Sequence, residues 1–128
     1  MHRFVLIGVG GYALINAGYI WAAPEHWYAT VPGVQATGAL NLHFAKDIAL
    51  AFLSSAAALI WAGSKANATA AICGVAWLAL HALFHLTIWL QRGAPADLVA
   101  LVNLTGIQLP AWLAAWAALR LRKSEVAR

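Results

Sequence analysis

Four apolar stretches, over residues 4–22, 44–63, 68–90 and 98–119, dominate this chain. Each is close to the ~20 residues that a helix needs to cross a ~30 Å hydrocarbon core. Such stretches have little structural choice, because in lipid every backbone N–H and C=O must find its partner within the segment. The breaks carry turn-forming residues: Pro24, Pro32, Gly33 and Gly38 in the first, Gly63, Ser64 and Lys65 in the second, Gly93, Ala94 and Pro95 in the third. A hydrophobic content of 63% lies well above the roughly 45–50% of soluble domains. The 128 residues leave room for one domain, 1–128. The expected fold is all-α: an integral membrane four-helix bundle with an apolar outer loop between the first two spans.

Arg3 followed by an apolar run and small residues before Pro24 has the layout of a secretory leader. The run is longer than a leader core, and it is read as a retained helix. Lysine and arginine counts in the short flanks place both termini inside: Arg3, Lys65, Arg120, Arg122, Lys123 and Arg128 fall on one side, Lys46 and Arg92 on the other. The net charge of +4 comes largely from this tail, which reads as a topology signal or an anionic-lipid contact rather than a nucleic-acid surface.

Tryptophans fit the same frame. Trp21, Trp27 and Trp89 fall at the outer interface, Trp61 and Trp116 at the inner one, and Trp77 and Trp112 deeper. Cys73 is the single cysteine, so no internal disulfide forms, and its apolar setting assigns it to packing. Gly8, Gly10, Gly11 and Gly18 in span one allow close helix approach, and Gly11 and Gly18, seven apart on one face, point to a tight contact there, against a neighbouring span or another subunit.

The polar residues are unevenly distributed. His43 and Asp47 sit one turn apart at the outer end of span two, with Asp47 about 6 Å deeper. His81 and His85 are likewise one turn apart in span three, at about 14 Å and 8 Å below the outer surface. Asn103, Thr105 and Gln108 fall in the outer half of span four, whereas the inner halves hold little beyond Ser54 and Ser55. The intervening 24–41 segment has no lysine or arginine and carries Trp27, Tyr28, Val31 and Val34. It reads as a short interfacial helix followed by a Pro32-Gly33 turn, folded back as a lid over the polar groups.

Ionisable groups in a membrane are costly unless paired or functional, and three readings compete. In the first, His43, Asp47, His81 and His85 ligate a transition metal such as zinc, iron or copper, with Glu25 and His26 as further candidates and Asn103 and Gln108 in support; imidazole and carboxylate suit these ions. In the second, histidines from spans two and three are axial ligands of a b-type haem. In the third, Asp47 pairs with a histidine or Lys46, and the amides are interhelical glue in a subunit of a larger complex. Lipid, partner subunits or a second copy are the expected partners. No serine–histidine–acid set, phosphate loop or redox cysteine pair supports an enzyme.

The order PxxWY (Pro24, Trp27, Tyr28), PGV (Pro32, Gly33, Val34), TGxxNxHFxxD (Thr37, Gly38, Asn41, His43, Phe44, Asp47) and HAxxH (His81, Ala82, His85) resembles small bacterial four-span proteins, similar in layout to the DoxX-like group. The resemblance covers about residues 24–90. It implies a four-helix fold in a bacterial plasma membrane and brings no activity with it.

Overall fold

The computed structural model describes residues 1–127. Helix α1 (His2–Ala22) leads into a short α2 (Pro24–Thr30), and α3 (Leu42–Lys65) and α4 (Ala68–Gln91) follow. The fourth rod is built in three pieces: α5 (Leu98–Val102), a π-helical stretch (Asn103–Gln108) and α6 (Leu109–Val126). Four helices are thus long and apolar enough to cross a membrane. They form an all-α bundle in which α1 and α4 each pack between α3 and the fourth rod. Both termini lie at one end, and the α1–α3 and α4–α5 connections lie at the other.

The distribution of side-chain size explains why lipid is the solvent for this fold. The buried positions are mostly alanines, among them Ala13, Ala49, Ala56, Ala71, Ala114 and Ala117, with Leu6, Ile20, Leu59 and Leu121 as the largest fully buried side chains. Phe4, Ile15, Trp61, Leu80 and Phe84 point outward. Burying large apolar groups gains little when the alternative is hydrocarbon, whereas small residues let helix backbones approach and pack. This is a multi-pass membrane protein.

Of the four span-one glycines expected to allow close approach, Gly10 does so and the Gly11–Gly18 face does not. Gly11 and Gly18, with Gly8, have nothing near the place of a Cβ and lie on an outward face of α1. The tight positions are Gly10, Gly63 and Gly74. A Cβ on Gly63 would stand 2.6 Å from Ile7 Cγ1 and 2.7 Å from the Arg3 carbonyl, and one on Gly74 2.9 Å from the Ala58 Cβ. Gly63 is therefore helical rather than part of a turn. The α3–α4 turn comes later, at Ala66 (φ 56°) and Asn67. Cys73 is also exposed, facing the surroundings of the bundle rather than packing within it.

Three of the helices start on a polar cap. Asn41 Oδ1 accepts the Phe44 N–H, Asn67 Oδ1 that of Ala70, and Asp97 Oδ1 that of Ala100, each satisfying one of the first-turn donors that lack an intrahelical partner. The Ala100 N–H, and then the Arg92 guanidinium at 2.6 Å, hold the Asp97 carboxyl below its usual range. Its contribution to loop order is present above the ordinary carboxylate range and is lost as pH falls through the depressed value.

At the terminal end, charged side chains cross between helices to cap their neighbours. Arg3 donates from Nε to the Gly63 carbonyl and from Nη2 to that of Ser64, both at 2.7 Å, placing a cation on the negative end of α3. Glu125 accepts the Ala68 N–H at 2.8 Å, placing a carboxylate on the positive end of α4. Arg3→Ala and Glu125→Gln are each expected to destabilise the bundle by about 1 kcal/mol, read as a shift in a denaturant titration in micelles. An additive double variant follows, because the two contacts share no residue.

The expected helix and turn in the first loop are present: α2 spans Pro24–Thr30, and Gly33 turns the chain at φ 91°. Trp27 packs on the Ile20, Ala45 and Ala49 cluster of α1 and α3, and Gly33 approaches Val99. The segment thus folds back onto the bundle, seated over α1, α3 and the start of α5. Cation–aromatic pairs mark both ends: Lys46 over Trp21 at one, and Lys65 over Trp61 and Arg120 over Trp116 at the other.

Candidate functional site

Helix α4 places His81 and His85 on adjacent turns of one face, with ring centroids 4.5 Å apart in an edge-to-face arrangement. The aromatic neighbours are specific. His81 stacks on Trp77 at 4.9 Å and 12°, Phe52 of α3 lies 6.4 Å across from it, and Phe84 flanks His85 at 6.0 Å. Counting from Gln91, His85 lies about 9 Å and His81 about 15 Å below that end of the helix. Both are half-buried. Among the described residues, no protein group makes a hydrogen bond to either ring.

Beside His81, all four spanning helices meet at a small cavity of about 10 Å³, lined by Tyr12, Phe52, Leu78, His81, Gly106 and Pro110 among others. That is near the minimum space for one water. Its far wall is the π-helical stretch, and Pro110 accounts for it. Proline has no N–H for the Gly106 carbonyl four residues earlier, and its ring crowds that carbonyl, so the helix widens there. Tyr12 Oη donates to the freed Gly106 carbonyl at 2.8 Å.

Asn103 and Gln108 belong to a separate network that is complete in itself. Gln108 Nε2 donates to the Ala82 carbonyl at 2.8 Å and to Asn103 Oδ1 at 3.0 Å, and its Oε1 accepts from Trp112 Nε1 at 2.9 Å. Both amide residues are buried. Gln108, steadied by Asn103 and Trp112 of its own rod, ties that rod to α4 through the Ala82 carbonyl, as interhelical glue does.

His43 and Asp47 form a second pair, His43 Nε2 to Asp47 Oδ2 at 3.4 Å, with side chains 90% and 56% exposed. Asp47 thus pairs with the histidine of its own helix, while Lys46 turns to Trp21. His26 Nδ1 lies 2.6 Å from Tyr19 Oη, which is 2.9 Å from Thr30 Oγ1, which in turn donates to the His26 carbonyl. Glu25, in the first turn of α2, is exposed.

The expected four-residue set therefore divides into two pairs. Among the described residues, no group of three or more histidine, cysteine, aspartate or glutamate side chains converges to hold one ion. Along the bundle the two pairs lie at similar levels: Phe52 is beside His81, so Asp47 and His85 both lie about 6–8 Å nearer the loop end. Azimuth separates them. His43 and Asp47 face outward from α3, while His81 turns toward Phe52 of α3, with His85 beside it on α4. As haem ligands, His81 and His85 share one helix face and supply a single axial position between them. Sequence reasoning missed Tyr12 and the stacking role of Trp77. Pro110 was the available signal for Tyr12, since a proline within a span leaves a carbonyl for another helix to satisfy.

The fold is that of a small polytopic membrane protein whose third candidate span carries two neighbouring imidazoles. Comparison with family models, curated proteins and solved structures gave no match.

Proposed function

We propose that this protein binds a transition-metal ion within the membrane through His81 and His85, with zinc, copper and iron as the ions that imidazole suits. One observation carries the reading: two imidazoles lie side by side on one helix face with no protein partner for their ring nitrogens. Polar side chains at this depth are costly without a partner, and an ion accepting both nitrogens supplies one. Trp77 and Phe52 restrict the ring orientations. Two protein ligands leave coordination positions open to a small exogenous ligand, so the reading is of a binding or handling site. The positive-inside count and the resemblance in layout support a bacterial plasma membrane, with both termini cytoplasmic and the site in the outer half.

The test is metal analysis with an absorption spectrum on protein purified without a histidine tag. The expected result is close to one ion per chain, lost in His81→Ala/His85→Ala while Asp47→Asn retains it. Equal metal content in the wild type and the double variant sinks the reading. A Soret band lost in the double variant moves the assignment to haem.

A second reading, an accessory subunit of a membrane complex, draws on the smooth outward face at Gly8, Gly11 and Gly18 and on the self-contained Gln108 network. Stoichiometric co-purification of a partner in mild detergent is its expected signature, and a chain that runs alone or as a homo-oligomer opposes it.

A further inference from the structure

A groove of about 360 Å³ runs along the outside of α1 and α3 toward the terminal end, lined by Leu14, Leu53, Ala57, Ile60, Trp61 and Ser64 among others. From Leu53 to Ser64 is eleven residues of α3, or about 16 Å at ~1.5 Å per residue. That matches half of a ~30 Å hydrocarbon core. The groove therefore has the length of one acyl chain in one leaflet, with its deep end at mid-membrane.

Its mouth is basic. Ser64 lines the groove, Arg3 is bonded to the Ser64 carbonyl, and Lys65 follows directly, its Nζ 5.8 Å from the Trp61 ring centroid. Among the described residues, no carboxylate lies within ion-pair distance of Lys65. The one acidic side chain at this end, Glu125, accepts the Ala68 N–H. An apolar slot one leaflet long, opening under a free ammonium, a guanidinium and a serine hydroxyl, complements an anionic phospholipid. A zwitterionic lipid brings its own cation to an already basic mouth.

We infer that the α1–α3 groove is a binding site for an anionic phospholipid, one acyl chain lying along Leu53 to Trp61 and the phosphate at Ser64, Lys65 and Arg3. The His81–His85 reading plays no part in this inference.

The experiment reconstitutes the full chain in nanodiscs of equal parts phosphatidylcholine and phosphatidylglycerol and measures retained lipid by native mass spectrometry. The wild type is expected to retain one phosphatidylglycerol in preference to phosphatidylcholine. Lys65→Gln is expected to lower that preference about fivefold. Ala57→Phe, whose side chain enters the groove from an exposed position, is expected to abolish retention with helicity and melting unchanged. Arg122→Gln/Lys123→Gln, on the exposed tail, leaves retention in place. Equal retention of both lipids in the wild type, undiminished retention in a folded Ala57→Phe variant, or a tail variant as damaging as Lys65→Gln each overturns the inference.

Discussion

Gly63→Val is expected to destabilise the bundle by about 3 kcal/mol, at the upper end of what overpacking costs, because the added atoms meet backbone. The Arg3 carbonyl, 2.7 Å from the place of the new Cβ, belongs to α1 and cannot swing aside as a side chain does. Relief requires α1 to move off α3, which also stretches the Arg3 bonds to the Gly63 and Ser64 carbonyls. Gly10→Val is a milder case: beyond the Ile60 Cγ1 at 2.7 Å, the nearest backbone atoms, the Ala56 carbonyl oxygen and the Ile60 nitrogen, stand at 3.2 Å. Gly8→Ala, Gly11→Ala and Gly18→Ala fall within about 0.5 kcal/mol of wild type or above it, as alanine favours helix. Reversible unfolding in mixed micelles, followed by circular dichroism, reads the whole series. A uniform response across the glycines contradicts the assigned α1–α3 interface.

Gln108→Leu is expected to cost about 2 kcal/mol, the sum of three interhelical or cross-turn hydrogen bonds at about 0.6 kcal/mol each. The leucine fills the volume yet leaves Asn103 Oδ1 and Trp112 Nε1 without the partners they now have. Trp112→Phe removes one of those bonds and is expected to lose about a third as much. Equal stabilities for Gln108→Leu and wild type remove the network from the forces holding α4 to the fourth rod. Metal content under the proposed function should stay unchanged in Gln108→Leu if the protein remains folded, which separates the amide network from the imidazole pair.

The four spans could be read from the sequence because hydropathy over a window of ~20 residues reports a strong physical constraint, the burial of polar backbone in hydrocarbon. The pairing of His81 with His85 and of His43 with Asp47 was readable for an equally local reason, the 3.6-residue turn. Their common depth followed from counting residues at ~1.5 Å each from the span ends. Each of these properties depends on one helix at a time.

Rotation of the helices about their axes was decided by tertiary structure. In water, an amphipathic stripe reveals which face is buried; in lipid both faces of a span are apolar, and residue size and backbone approach choose the interface. The sequence offered four glycines of span one and favoured the Gly11–Gly18 face, whereas packing selected Gly10 among them, with Gly63 and Gly74. The same rotations turned His81 toward Phe52 and left His43 and Asp47 outward, dividing a cluster that depth alone had grouped. The sequence by itself determined the spans, their order and the level of each polar residue, since those follow from the backbone's need for hydrogen bonds and from helix geometry. Which polar residues meet depended on small differences in how closely neighbouring backbones approach, a property of the assembled bundle.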